Sequence, residues 1–398
     1  MLYKIAIENF YSIAERQELV FEIPKNAPDL ECFKVSRSDG VTRLPTVVGF
    51  FGPNASGKST VLRSVVSLTM FACDSFNWTD EIDFFFQAYR QQDWWGKPTK
   101  IMVEFDCQLS PDAPSALFRY ELHVTHKVKS FVGKTIAYEA LFYAPKGKFR
   151  CLFKRNGQQF DFGPEFNISN TNDSRKESIR SNASVISTLE KFNHPVSTHL
   201  KSLIKTLGSN IVSVNKIIPT NNQLLSVYEN NKPCLDQLNR ELRRLDVGLE
   251  SMTLERGNQG LFAKFKHVGL DEIIFLHEES GGTQRFIEIF ARLYHSLAMG
   301  SVVIIDELDT EFHPLLLSEL LRWFNDSERN PHGAQLLCTG HNPVLLDNLE
   351  KEQVFFTEKP LGQSTRIYGA RDIKGLRREP SLMKKYLAGE LGAVPHIG

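Results

Sequence analysis

Residues 46–60 read TVVGFFGPNASGKST, an apolar run that ends at Gly52 and passes into a loop with a second glycine and, directly after it, a lysine followed by two hydroxyls. The run suits a strand buried on both faces, because no charged residue interrupts it. After Lys58 the period changes: Val61, Leu62, Val65, Val66, Leu68 and Phe71 fall on helical spacing. Gly52 and Gly57 bracket Pro53, Asn54, Ala55 and Ser56, and Lys58, Ser59 and Thr60 follow, which completes G-x-x-x-x-G-K-[ST]. In that arrangement glycines let backbone N–H groups turn inward around phosphates. The helix N-terminus adds its positive dipole, and the lysine ammonium reaches the β and γ phosphates. The Ser59 hydroxyl would ligate magnesium. Strand, loop and helix together predict a nucleotide site, with ATP and Mg2+ as cofactors.

A phosphate loop alone leaves the type of engine open, because classes that share it differ in where their acidic residues lie. One candidate strand, IMVEFD, ends at Asp106, but Glu104 interrupts it and Cys107 follows where a second acid is wanted. The other is SVVIIDE, in which Val302 to Ile305 are uninterrupted β-formers ending in Asp306 and Glu307. There Asp306 would hold magnesium through water while Glu307 polarises the attacking water, two carboxylates with different tasks. Upstream, HEESGGTQRFIEIFARLYHSL carries Ser280, Gly281 and Gly282 and runs into a helix with Phe286, Ile289, Phe290 and Leu293 on one face. A second helix N-terminus is thereby offered to an anion. If each phosphate-binding helix start needs its own strand, the two cannot close on one phosphate. The second is then expected to complete the site of a neighbouring copy, in a head-to-tail homodimer around two ATP molecules.

Further elements follow in order. Asp309 would lie at the dimer seam, and His313-Pro314 opens the next helix. AQLLCTGHNP places His341 just after a buried strand, where it can hydrogen-bond the γ-phosphate or the attacking water. Gln87, Gln91 and Gln92 lie in the interval where a glutamine usually senses the γ-phosphate and its metal, and Gln87 is preferred. The expected catalytic set is Lys58, Glu307 and His341, with Ser59, Asp306 and Gln87 at the metal.

The chain of 398 residues is 41% apolar and 24% charged, enough to bury the cores of two or three domains. Its 47 basic residues balance 47 acidic ones, which predicts neither a nucleic-acid coat nor a membrane patch. No stretch approaches the ~18 apolar residues of a membrane helix, and MLYKIAIENFYS lacks the pattern of a secretory signal, so a cytoplasmic protein is expected. Six scattered cysteines without a C-x-x-C pair argue for buried thiols rather than disulfides or zinc. Strands fill much of residues 1–173 around the phosphate loop. Residues 174–250 turn polar and helical, an inserted lobe whose heptads are too few for a long coiled coil. Residues 251–398 begin with strands and then alternate helix with apolar strand, an α/β lobe.

Together, I-x-N-F-x-S at residues 7–12, GPNASGKST, ESGGTQR, VVIIDELD-x-x-x-HP and TGHNP resemble the ABC-type ATPases of the RecF, SMC and overcoming-lysogenization-defect group, over nearly the whole chain. Without a coiled coil the chain looks most like the compact AAA15/AAA21 ATPases of bacterial anti-phage defence, such as those of the PARIS, Septu and Rlo-type systems. The resemblance implies an α/β, ABC-type (SMC/RecF-like) P-loop ATPase head with an antiparallel β lobe, a RecA-like α/β lobe and the inserted helical lobe. It also implies an ATP hydrolase that dimerises, with larger assemblies left open, and that holds or licenses a separately encoded effector, a Toprim- or HNH-type nuclease. Tyr11 departs from the pattern, standing where relatives often carry arginine. The alternative is a RecF-like repair clamp that binds DNA directly through KSLIK, RELRRLD and DIKGLRRE. A third reading is a nucleotide-gated scaffold with negligible turnover.

Overall fold

The computed structural model describes residues 1–78, 85–126, 134–169, 173–212, 215–216, 221–245, 248–258, 260–378 and 381–394. Alternating apolar residues shape β1 (Leu2–Glu8) and β2 (Gln17–Val20), and a small hairpin of β3 (Phe33–Val35) and β4 (Arg43–Pro45) leads into β5 (Val47–Phe51), buried at all five positions. After the glycine-bracketed loop comes α1 (Lys58–Asp74). The meander then runs through β6 (Thr99–Cys107), β7 (Ala116–Thr125), β8 (Thr135–Ala144), β9 (Arg150–Asn156) and β10 (Gln159–Phe162). These strands pair antiparallel in the order β10-β9-β8-β7-β6-β1-β2. In β7 buried and half-buried residues alternate without a break, as period two requires when one face meets a core.

The segment 174–250 carries α2 (Val185–Glu190), α3 (Pro195–Ile204), the two-residue β11 (Gly208–Ser209), the small pair β12 (Ile211–Val212) and β13 (Asn215–Lys216), α4 (Asn221–Glu229) and α5 (Lys232–Leu245). It is helical, as its composition suggests, yet it is divided between two cores. Val185, Ile186, Leu189 and Leu200 join the core under the antiparallel sheet, together with Val61, Leu62 and Val65 of α1. Leu225, Tyr228, Leu238 and Leu242 join a second core around the α/β sheet. Between them β11 pairs in parallel with the strand that bears the acidic residues. A glycine-serine strand has no apolar pattern, so hydrophobic periodicity does not reveal it.

The chain continues through β14 (Leu249–Gly257), β15 (Gly260–His267), β16 (Ile274–Phe275), α6 (Gly281–Met299), β17 (Val302–Ile305) and α7 (Pro314–Asn325). It finishes with β18 (Gln335–Thr339), β19 (Val354–Glu358), β20 (Arg366–Gly369) and α8 (Leu382–Leu387). The core sheet has the order β11-β17-β18-β5-β19-β20 and is parallel except for β20. The phosphate-loop strand β5 thus sits between β18 and β19, far along the chain, rather than with the meander that surrounds it in sequence. This order places the C-terminal ends of β5, β17 and β18 side by side, the edge at which open α/β sheets bind ligands. Asp106 lies instead in the antiparallel sheet, where it accepts a hydrogen bond from the Tyr3 hydroxyl. The longest helix among the described residues, α6, has 19 residues, so no long coiled coil extends from them. None of the described helices is long and apolar enough to cross a membrane.

Candidate nucleotide-binding and catalytic site

The loop after β5 depends on its two glycines. Gly52 has φ +150° and Gly57 φ +106°, and a Cβ would collide with the Thr357 carbonyl oxygen at the first and with the Thr365 side chain at the second. Those threonines back the loop: Thr357 Oγ1 lies 2.6 Å from Ser56 Oγ, and Thr365 Oγ1 donates to Ser56 O at 2.8 Å and lies 2.9 Å from Ser12 Oγ. Ser12, the last residue of I-x-N-F-x-S, also lies 3.1 Å from Thr60 Oγ1 and so fastens the β lobe to the helix start. Lys58 donates to Gly52 O at 2.7 Å and Pro53 O at 2.9 Å. Burial lowers the pKa of its ammonium, against the opposing pull of Asp306, Asp309 and Glu307. A bound phosphate would take over the lysine from these neutral carbonyls. Residues 54–60 with Ser12, Glu307 and His341 line a cavity of about 610 Å³.

Across the cavity, Asp306 Oδ1 accepts hydrogen bonds from Ser59 Oγ at 2.9 Å and Thr339 Oγ1 at 2.6 Å. Thr339 Oγ1 in turn accepts the Glu307 amide at 2.7 Å. Asn210, fully buried just after β11, brackets the same turn: its Oδ1 accepts Asp306 N at 2.8 Å and its Nδ2 donates to Asp306 O at 3.0 Å. Glu307 has φ +51°, an uncommon conformation for a residue with a Cβ, held by the hydrogen bond from its amide to Thr339 Oγ1 and by the buried Leu308 that follows. Asp309 Oδ2 accepts the amides of His341, at 2.5 Å, and Asn342. The carboxylate expected at a dimer seam therefore also fixes the histidine loop of its own chain. Asn210 belongs to no motif the sequence displays, and Thr339, the first residue of TGHNP, carries no role there; only strand pairing brings the two to Asp306.

The remaining candidates lie elsewhere. Ser280 caps α6, its Oγ accepting Thr283 N at 3.1 Å, and Gly281 and Gly282 form the first turn over Glu311. None of these three residues lines the phosphate-loop cavity of the same chain. Gln87 does not line it either, and its carbonyl accepts Tyr11 N at 2.8 Å. The surrounding stretch is set by buried Asn9, which accepts Tyr89 N at 3.0 Å and donates to Lys97 O at 2.7 Å. At Tyr11 the Arg63 guanidinium of α1 stands 4.9 Å from the ring centroid.

The donor set fits a magnesium nucleotide. One hydroxyl and one carboxylate converge at Ser59 and Asp306, and Mg2+ commonly takes one or two protein oxygens and completes its shell from phosphates and water. When bound, the ion would neutralise phosphate charge. The chain itself supplies backbone N–H groups, Lys58, and a carboxylate at Glu307 that can accept a proton from water.

A parallel sheet that aligns phosphate loop, acidic strand and histidine strand, joined to an antiparallel sheet, is the fold of an ABC-type P-loop ATPase head. The head of an SMC protein bound to the C-winged helix domain of ScpA shares it, with a TM-score of 0.50 and 12% identity over 92% of this chain and 98% of that one. SMC heads from Thermotoga maritima (TM-score 0.43, 12% identity, 92% and 98% covered) and Pyrococcus furiosus (0.44, 13%, 98% and 99%) also align. No curated protein matches significantly. The family described as "AAA domain, putative AbiEii toxin, Type IV TA system", AAA_21, matches residues 47–347. The chain belongs to this family and is an ATPase of the AAA21/SMC-like kind.

Proposed function

We propose that two copies close head to tail around two magnesium-ATP, each offering Ser280–Gly282 and Asp309 to the other. The closed pair would be the sensing subunit of a bacterial anti-phage defence system that holds or licenses a separately encoded nuclease. In each site Lys58 would bind the β and γ phosphates, Glu307 would accept a proton from the attacking water, and His341 would orient the γ-phosphate. The observation that carries the reading is the separation of two phosphate-ready helix starts in one chain. Lys58 opens one beside Asp306 and Glu307, while Ser280 and Gly281 stand exposed outside that cavity.

The family description supports a place in a two-component toxin–antitoxin type of system. An SMC head of the same fold carries a bound ScpA domain, and we extend to this chain a partner protein seated on the head. A direct DNA clamp is less well served, because cations in all three basic stretches are engaged internally. Lys201 pairs with Glu190 at 2.8 Å, Arg244 with Glu241 and Glu319 at 2.8 Å, and Arg378 with Glu352 at 2.7 Å.

The test is Glu307→Gln, purified with its neighbouring gene products in ATP and Mg2+. It should bind ATP, stop hydrolysing, run as a dimer by light scattering and co-elute with one stoichiometric protein. A monomer with ATP bound would remove the head-to-tail argument. Nucleic acid eluting without protein would favour the clamp, and wild-type hydrolysis would remove Glu307 as the base.

A further inference from the structure

A second cavity, of about 280 Å³, lies between the antiparallel sheet, the later turns of α1, the end of α3 and the junction of α6 with β17. Its wall is mainly apolar, with Val65, Leu68, Val103, Phe105, Leu207 and Val302 among its residues. It exceeds the roughly 150 Å³ apolar cavity known to bind benzene. Arg37, Gln108 and the Met1 amino group also reach the wall, and Asp106 is the one carboxylate in it. The Asp106 side chain is 6% exposed, and its Oδ1 accepts the Tyr3 hydroxyl at 2.7 Å. Its Oδ2 has no hydrogen-bond donor among the described residues. The Met1 α-amino group forms an ion pair with Oδ2 at 3.8 Å, beyond hydrogen-bonding distance, so the charge is paired while the hydrogen-bond acceptor stays open.

A buried carboxylate oxygen without a donor is costly, and an apolar pocket with one such acceptor selects a ligand by its head group. The cavity is also placed to be felt at the nucleotide site. α1 starts at Lys58, α6 starts next to Ser280, and β17 leads into Asp306, so three elements that touch the cavity carry site residues at their opposite ends. We propose that this cavity is a regulatory site for a small apolar molecule bearing a single hydrogen-bond donor, an alcohol or an amine, at Asp106 Oδ2. Filling it shifts nucleotide affinity, and nucleotide shifts ligand affinity by the same factor. Only this coupling rests on the ATPase reading.

The experiment titrates the full chain with phenethyl alcohol, phenethylamine, ethylbenzene and phenylacetate, following thermal stability and calorimetric heat. The alcohol and amine should bind saturably, ethylbenzene weakly and phenylacetate not at all. Asp106→Asn keeps the shape and an acceptor for Tyr3 but removes the charge. It should weaken the alcohol and amine about ten- to a hundredfold, the range expected for a lost hydrogen bond to a charged group, and leave ethylbenzene unchanged. Thr69→Phe, which fills the cavity from α1, should abolish all binding. Absence of saturable binding, indifference to the head group, or binding that survives Thr69→Phe would overturn the site. Binding without any change in ATP affinity would overturn the coupling alone, and a wild-type chain that binds the alcohol but no ATP would overturn the nucleotide reading while leaving the site.

Discussion

Thr339, the first residue of TGHNP, shows how much of the candidate chemistry rests on single side chains to which the motif itself gives no role. Its hydroxyl gives its proton to Asp306 Oδ1 and receives the Glu307 amide, so one atom orients both the metal-side carboxylate and the base. Thr339→Val keeps the shape and removes both bonds. Turnover should fall about 10- to 100-fold, the usual cost of losing an outer partner of a metal site, while a fluorescent ATP analogue still binds. Steady-state hydrolysis measured across Mg2+ concentrations checks this, and an unchanged rate would make the threonine a spectator. Lys58, Ser59, Asp306 and Glu307 were legible as a set because their chemistry is encoded in short spacings. Thr339 was not, because a threonine that ends an apolar strand looks like any other β-former until that strand pairs with β17.

Among the elements, the antiparallel sheet meets the start of α2 at a buried ion pair between two of its own strands. Arg155 of β9 and Glu139 of β8 are both fully buried, with Nη1 and Oε2 3.3 Å apart. Glu139 also accepts the Tyr120 hydroxyl at 2.8 Å and the Val185 amide at 3.0 and 3.2 Å, so its carboxylate sits at the start of α2. Burial raises the pKa of Glu139, while Arg155 opposes that shift and favours the charged form. Arg155→Ala would leave the carboxylate buried and uncompensated, and urea unfolding should show a loss of about 3–5 kcal/mol. A loss below ~1 kcal/mol, no more than an exposed pair contributes, would mean water or another donor replaces the guanidinium. The alternation that predicted β8 and β9 was readable, but it treats Glu139 as an ordinary polar position. Its burial follows from α2 packing over it, a contact that local periodicity does not encode.

At the scale of the whole molecule, the two cores lie on opposite faces of the α/β sheet, Val48, Phe50 and Ile304 in one and Val47, Phe51 and Ile305 in the other; α1 buries Val61, Leu62 and Val65 in the first, which it shares with the antiparallel sheet, while its first residues face the α/β site. Any change at the phosphate loop is therefore placed to act on both lobes. Ser280 is exposed at the start of the other phosphate-ready helix, and Ser280→Arg should block closure of two copies by bulk and by loss of the cap. Combined with Glu307→Gln, it should give a protein that stays monomeric by light scattering in ATP and Mg2+ yet binds the nucleotide about as tightly as before. If ATP binding is lost as well, with the fold intact by circular dichroism, then Ser280 acts within its own chain and the head-to-tail arrangement is wrong.

The amino-acid sequence alone determined the phosphate loop, the acidic strand, the histidine turn and the two helix starts, because each is a pattern of residue types within a few positions of one another. Strand periodicity likewise revealed most of the antiparallel meander. The tertiary structure decided how those patterns are joined. It set β5 between β18 and β19, threaded β11 onto the edge of the same sheet, brought Ser59 to Asp306 across 247 residues, and aimed Asn210 and Thr339 at one carboxylate. It also turned Asp309 onto the histidine loop and left the Asp106 cavity between lobes. Such contacts come from chain segments far apart in sequence that pack to bury two cores, and no local spacing carries their partners.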